Sequence, residues 1–141
     1  MATRDRRRYA AAGGSTTVAA SGNTDEYVIS PVNGILTEAL FSGVDALATS
    51  NTNYITFTIT NLGPSGTGTK TMLAAVDGNT TKATGGAALA ADTRRSLTIN
   101  TTAANLRVSV GDRIRIRAAV TGTLANTVTG AAWLLILNRE L

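Results

Sequence analysis

Three groups of residues in this chain could do chemistry: a glycine-rich loop that ends in lysine, a stripe of arginines, and scattered carboxylates. The loop runs from Gly63 to Thr71. A phosphate-binding loop needs a glycine, four residues, and then Gly-Lys followed by Ser or Thr, whereas Thr69 separates Gly68 from Lys70 here. The flanking segments alternate as strands do, and no helix follows whose N-terminus would bind phosphate. We therefore interpret the segment as a loop between two strands.

The arginine stripe consists of Arg113, Arg115 and Arg117, which recur at every second position. In a strand they face one way while Ile114 and Ile116 face the other. Three interpretations stay open: a solvated or ion-paired sheet face, a contact with an acidic partner subunit, and a nucleic-acid surface. Sheets that bind nucleic acid usually interleave aromatic side chains that stack on bases. The interleaved residues here are isoleucines, so nucleic acid is the least favoured of the three.

The carboxylates do not form a recognisable catalytic or metal-binding motif. Asp77 and Asp112 stand next to glycines and are interpreted as turn formers, because no clustered acidic loop of the calcium-binding kind accompanies them. A glycosidase would need a cleft with sugar-stacking aromatics besides its acid pair, and the chain has one Trp, three Tyr and two Phe.

Histidine and cysteine are both absent from the sequence. Their absence excludes the usual zinc site, the Ser-His-Asp triad, the Cys-His nucleophile, and haem or iron–sulfur ligation. We therefore expect no catalytic residue, no metal and no cofactor, and we expect that the protein is not an enzyme.

The elements that position these residues are predicted to be strands. The 141 residues include 24 threonines and 23 alanines, and β-branched threonine suits a pleated, half-buried surface. Period-two alternation broken by turn residues is typical of an all-β sandwich or barrel. The predicted strands are residues 27–30, 35–41, 54–60, 70–76, 94–100, 106–110, 113–118 and 127–138. The predicted core residues are Ile35, Ile55, Phe57, Ile59, Leu97, Ile99, Ile114 and Ile116.

Two local features add detail to this pattern. The turn before the second strand contains Asn33-Gly34, which is expected to supply a positive φ. The last strand is apolar on both faces, with Val128, Ala132, Leu134 and Ile136 on one and Trp133, Leu135 and Leu137 on the other. Something must cover the second face: a loop or the N-terminal segment, or else another subunit. We expect Trp133, Leu135 and Leu137 to form such a subunit contact.

The N-terminal segment differs from the rest in composition and charge. Four arginines and one aspartate lie in residues 1–8, which leaves nine basic and eight acidic groups in residues 9–141. We expect residues 1–24 to form a flexible arm and residues 25–141 to form one β-domain. The arm has no apolar stretch long enough for a secretory signal, and no apolar run in the chain approaches the ~20 residues of a membrane-spanning helix. A solubilising end, an arm that orders on a partner, and a nucleic-acid or transport tail all stay open for it.

Four segments resemble small virion proteins of tailed bacteriophages, in particular head decoration (cement) proteins. They are residues 33–39 (NGILTEA), 53–61 (NYITFTITN), 81–86 (TKATGG) and 110–114 (VGDRI). The resemblance implies a jelly-roll-like antiparallel β-sandwich with an extended N-terminal arm. It also implies a homotrimer on the outer surface of the head, bound to the major capsid protein and assembled in the host cytoplasm.

On that resemblance, two groups of residues are expected to make contacts. Arg4, Arg6, Arg7, Arg8 and Tyr9 of the arm would contact capsid or neighbouring subunits. The oligomer or capsid contact would use Trp133, Leu135, Leu137, Arg113, Arg115 and Arg117. No membrane partner is expected, and nucleic acid is disfavoured. The alternatives are a fibre or baseplate adhesion domain that binds host glycans, because such domains share the same Thr-, Gly- and Asn-rich strands, and a nucleic-acid-binding module that uses the arginine arm.

Overall fold

The computed structural model describes residues 8–140, with side chains from residue 16 onward. Nearly all of its regular structure is strand, as the threonine-rich alternation predicts. A 3-10 turn (Asp77–Asn79) and a one-turn α-helix, α1 (Ala103–Leu106), are the helical elements of this part of the chain. The strands are β1 (Arg8–Val18), β2 (Asn23–Ile29), β3 (Gly34–Ser42), β4 (Tyr54–Asn61), β5 (Lys70–Thr71), β6 (Arg95–Leu97), β7 (Arg107–Val108), β8 (Arg113–Thr121) and β9 (Val128–Arg139).

The strands form two antiparallel sheets that pack face to face. Sheet A has the order β1-β9-β3-β6, with β7 also pairing with β3, and sheet B has the order β2-β8-β4-β5. Apart from β7, this is the strand order of a jelly roll, in which most consecutive strands lie in opposite sheets. The all-β sandwich predicted from the sequence is therefore confirmed.

The core lies between the sheets and is built from inward-facing alternate residues. Ile55, Phe57 and Ile59 of β4 are at most 2% exposed, while the threonines between them are half-buried on the outer face. Phe41 of sheet A joins the sheets, because its ring centroid lies 4.8 Å from that of Phe57 in sheet B. Within sheet A, the Phe41 ring lies 5.2 Å from the ring of Trp133. Of the eight predicted core residues, six are buried, and Ile35 and Ile99 pack against the core while partly exposed.

The two faces of β9 are the reverse of the predicted ones. Ala131, Trp133, Leu135 and Leu137 are buried in the core, whereas Leu134 and Ile136 are half-buried on the outer face. The reason is Gly130, whose φ of +57° interrupts the alternation, so that Val128 and the odd-numbered residues after it all face inward. The expectation that Trp133, Leu135 and Leu137 form a subunit contact is therefore corrected: they fill the core.

The N-terminal segment contributes strand to both sheets. Residues 8–18 form β1, which pairs with β9, and residues 23 and 24 already belong to β2. The division of the chain at residue 24 and the flexibility of the segment before it stay predictions. A strand at a sheet edge pairs through backbone groups, which Ala, Gly, Ser and Thr supply as well as apolar residues do. Arg8 and Tyr9 begin β1, while Arg4, Arg6 and Arg7 lie outside the described residues, so the contacts expected of this group stay a prediction.

The turn before β3 also differs from its prediction. Gly34 is not among the glycines with positive φ, so the Asn-Gly pair does not supply the backbone conformation expected of it. Gly34 lies where β3 meets both β7 and β9, and a Cβ atom there would overlap the carbonyl oxygen of Asn138. The close approach of three strands, and not a turn conformation, is what requires a glycine at this position.

Candidate interaction surface

The arginine stripe lies on the outer face of sheet B, as its alternation predicts. Arg113, Arg115 and Arg117 are on β8, and the intervening Ile114 and Ile116 are buried at 0% and 1% exposure. Strand β8 is central in its sheet, with β2 on one side and β4 on the other. The guanidinium groups are therefore flanked by outward side chains of two neighbouring strands.

One arginine of the stripe is neutralised by a carboxylate. Arg117 donates from Nε and Nη2 to the two oxygens of Asp25 on β2, at 2.7 and 2.8 Å. The two side chains are only 26% and 23% exposed. The hydrogen bonds from Arg117 lower the pKa of Asp25 below its ordinary value, and they raise the pKa of Arg117 in turn. This two-point pair fixes β2 against β8 at one end of the sheet.

The other two arginines have no carboxylate partner among residues 8–140. Arg113 stacks over the ring of Tyr27, with its guanidinium carbon 4.3 Å from the ring centroid. Arg115 lies opposite Tyr27 on β2 and Thr60 on β4, and its Nε is buried without a hydrogen-bond partner in the described part of the chain. Among residues 8–140, the hydrogen bonds of Asp25 go to Arg117, so Arg113 and Arg115 carry positive charge without an ion pair.

Exposed apolar side chains adjoin these two arginines. Ile29 is 70% exposed and lies opposite Arg113, and Tyr27 is 45% exposed. Val110, 61% exposed, lies in the turn between β7 and β8. That turn is tied to the end of β2, because Ser30 exchanges backbone hydrogen bonds with residues 111 and 112. We call the surface of Tyr27, Ile29, Val110, Arg113 and Arg115 the β2–β8 patch.

A buried polar cluster holds the turn that carries Val110. Asp112 is 8% exposed, and its Oδ2 accepts hydrogen bonds at 2.9 Å from Asn61 Nδ2 and from the backbone N–H of Ser109. The Val110 N–H donates to the side chain of Asn33, also at 2.9 Å. Asp112 therefore does form a turn, as predicted, and it also connects that turn to β4.

The residue pattern predicts the arginines of this surface but not its other residues. Tyr27 and Ile29 stand two positions apart in a predicted strand, which would place them on one face. The sequence does not indicate, however, that this strand pairs with β8. The side chains next to the arginines are therefore known only from the sheet order.

A groove of about 300 Å³ lies at the other side of sheet B, beside β4. Its floor includes Phe57 and Leu73, and polar side chains including Thr58, Asp77 and Lys82 line it. Lys82 forms an ion pair with Asp77 at 2.9 Å and lies 5.1 Å from the centre of the Tyr54 ring. The hydrogen bond from Lys82 to Asp77 raises the pKa of the lysine.

The remaining candidate residues do not form sites of their own. The glycine-rich loop 63–69 joins β4 to β5, as expected for a loop between strands. In the described part of the chain, no group of three or more Asp and Glu side chains is placed to hold a metal ion. Within the same residues, no helix is long and apolar enough to cross a membrane.

Comparison with known proteins gives a similarity of fold. No known protein family matches the sequence, and no curated protein is similar to it. By structure, the chain is similar to a chain of the cyanophage Pam1 capsid asymmetric unit, with a TM-score of 0.51 and 15% identical residues. The match covers 99% of this chain and 90% of that one. At this identity the two chains share an architecture, and the similarity extends over the whole sandwich.

Proposed function

We propose that this chain is a structural protein of a bacteriophage virion that binds the outside of the head lattice and stabilises it. Its partners would be the major capsid protein and further copies of itself in a homotrimer. It would be assembled in the host cytoplasm and would catalyse no reaction. The observation that carries the proposal is the full-length similarity of fold to a chain of a phage capsid asymmetric unit.

Two features of the chain support this proposal beyond the fold, since one fold can serve many functions. The sequence lacks histidine and cysteine, so the nucleophile and metal sites that depend on these two residues cannot form. The chain also has an uncompensated charged surface, the β2–β8 patch, on an otherwise nearly neutral domain. A protein that works by binding a repeated lattice needs contact surfaces, and weak contacts become strong through avidity.

The direct test is the heat stability of the shell. Expanded capsids of the virus that encodes the chain would be stripped of it, incubated with or without the purified protein, and heated. We expect shells with bound protein to rupture at a higher temperature, and we expect electron micrographs to show added density on the outer surface. Native mass spectrometry would test the trimer. Shells that rupture at the same temperature with and without saturating protein would contradict the proposal.

The groove beside β4 favours a second candidate, a fibre or baseplate domain that binds host glycans. Its volume of about 300 Å³ is at the lower end of small-ligand sites, and threonine hydroxyls, Asp77 and Lys82 offer hydrogen bonds to sugar hydroxyls. Binding on a glycan array that is lost in Lys82→Ala, together with no affinity for shells, would favour this candidate over the first.

A further inference from the structure

The β2–β8 patch combines uncompensated cations with exposed apolar side chains on a rigid sheet. Arg113 and Arg115 have no carboxylate partner among the described residues, and the buried Nε of Arg115 lacks a hydrogen bond. A buried guanidinium N–H without a partner costs free energy. The buried Nε itself is out of reach of another molecule, but an acceptor brought to this face would pair with the Nη donors of the two guanidinium groups, which are not among the buried atoms.

The apolar half of the patch has the composition of an interface centre. Tyrosine and arginine are enriched among residues that dominate binding energy, and here Arg113 lies directly over Tyr27. Ile29 and Val110 are the two most exposed of the large apolar residues described, at 70% and 61%. Three of the five large apolar side chains exposed in the described chain thus lie within one patch, which marks it as an interaction surface.

We propose that the β2–β8 patch docks an acidic protein surface, in which carboxylates engage Arg113 and Arg115 while apolar groups cover Tyr27 and Ile29. The inference rests on the proposed function for the identity of the partner: if the chain is a virion protein, the acidic surface belongs to a neighbouring protein of the shell. Charge complementarity selects the occupant, because a carboxylate accepts two parallel hydrogen bonds from a guanidinium.

Two other occupants fit the patch less well. A nucleic-acid strand would gain from the arginines but would leave Ile29 and Val110 uncovered. Tyr27 is also the single aromatic side chain of the patch, whereas proteins that bind single strands stack successive bases on several aromatic side chains. A second copy that docks through the same patch would place two uncompensated cations against two more, and such like-charge contacts are unfavourable.

The test compares two double variants with equal changes in charge. R113E/R115E reverses the patch, while the control K70E/R94E reverses two exposed cations outside it. Binding of the full chain to stripped shells would be measured by co-sedimentation. We expect R113E/R115E to bind at least about tenfold more weakly and the control to bind like the wild type. Thermal unfolding would check that both fold, with R113Q/R115Q replacing the first if it does not.

A second pair isolates the apolar contribution. Ile29→Ser removes the most exposed apolar side chain of the patch, and Val76→Ser is its matched control, because Val76 is 46% exposed outside the patch. We expect Ile29→Ser to weaken shell binding several-fold and Val76→Ser to leave it unchanged. Equal loss in both double variants, or none in R113E/R115E while the wild type binds, would overturn the inference and leave the proposed function standing.

A shell-independent probe separates the inference from the proposed function. Immobilised poly-L-glutamate and a single-stranded DNA oligonucleotide would be offered to the wild type and R113E/R115E. Patch-dependent binding to poly-L-glutamate without shell binding would keep the inference and reject the proposed function. Stronger, patch-dependent binding to DNA would replace the acidic protein with nucleic acid, and a native mass that falls in R113E/R115E would replace it with a second copy. Binding to neither shells nor poly-L-glutamate would overturn both proposals.

Discussion

At the scale of single residues, cross-strand neighbours on the outer face of sheet B determine which arginines form ion pairs within the chain and which have donors left for another molecule. Arg113, Arg115 and Arg117 have the same type and spacing, but β2 places Asp25 opposite Arg117 alone. That pair is a closed two-point contact, while the other two arginines keep free donors. The same sequence pattern therefore contains one structural arginine and two that are available for binding.

The Asp25–Arg117 pair predicts a pH-dependent contribution to stability. The pKa of Asp25 is lowered in the folded state by its hydrogen bonds from Arg117, so the pair stabilises the fold where the carboxylate is ionised in both states. Asp25→Asn should lower the free energy of unfolding by about 1 kcal/mol near neutral pH. The difference from wild type should shrink as the pH falls below 3.8, the ordinary value, through the lowered folded-state pKa.

Urea unfolding of both proteins across this pH range measures the difference directly. Asp92→Asn is the matched control, because the Asp92 carboxylate has no ion-pair or side-chain hydrogen-bond partner among the described residues, and asparagine tolerates the positive φ of this position. A difference between wild type and Asp25→Asn that stays constant down to the lowest pH would show that the ion pair is not its cause.

At the scale of elements, alternation predicted the long strands but overestimated the short ones: the strands predicted at 70–76, 94–100 and 106–110 contain only two or three residues of strand. β4 follows period two without interruption, and its predicted inward residues Ile55, Phe57 and Ile59 are buried. In β9 both faces are apolar, so hydrophobicity does not indicate which face points into the core. The positive φ of Gly130 shifts the alternation and turns the odd-numbered residues after it inward. An isolated glycine inside a strand pattern suggests a bulge, but it does not fix one, because glycine is compatible with either backbone conformation.

The sequence also did not predict where side chains, and not neighbouring strands, form hydrogen bonds to the backbone. Asn79 belongs to a turn that the pattern Asp-Gly-Asn indicates, yet its side chain is fully buried. Its amide donates to the carbonyls of Ala74 and Thr98 and accepts from the Thr98 N–H, at 2.7 to 2.8 Å. The partners are up to 19 residues away, so a turn motif alone cannot reveal them. For the same reason the sequence predicted the arginines of the β2–β8 patch but not the side chains that lie beside them.

The contact of three strands at Gly34 predicts a local effect of adding a methyl group. Gly34→Ala should destabilise the fold by about 2 kcal/mol, because the Cβ atom would overlap the Asn138 carbonyl and force β3 and β9 apart. Amide hydrogen exchange should accelerate at the C-terminal end of β9. Gly66→Ala is the control, since Gly66 has a positive φ of 78° but open space around its Cβ position.

The two glycine variants separate steric overlap from backbone strain. Gly66→Ala should cost about 1 kcal/mol through its left-handed conformation and leave exchange in β9 unchanged. If Gly34→Ala were as stable as wild type, the close packing of β3 against β9 would not be the reason for glycine at this position.

At the scale of the whole molecule, the jelly-roll order makes one cooperative unit of the two sheets. Most consecutive strands lie in opposite sheets, so neither sheet is a continuous piece of chain that could fold alone. Phe41, Phe57 and Trp133 connect the sheets through the core. A rigid sandwich of this kind holds the β2–β8 patch in a fixed geometry, so little conformational entropy is lost when a partner binds there.

Truncation of Phe57 tests this cooperativity. Phe57→Ala should lower the free energy of unfolding by about 3–4 kcal/mol, because it removes a buried ring from the contact between the sheets. Trp133 is the single tryptophan of the chain and lies in the opposite sheet, so its fluorescence reports on sheet A while far-UV circular dichroism reports on both. The two unfolding curves should coincide in wild type and variant alike.

Phe57→Leu, which keeps most of the buried volume, should show a smaller loss of unfolding free energy, and its two unfolding curves should also coincide. A fluorescence transition at higher denaturant concentration than the circular dichroism transition in Phe57→Ala would mean that sheet A holds together without sheet B. The sandwich would then be two units that pack together and not one core.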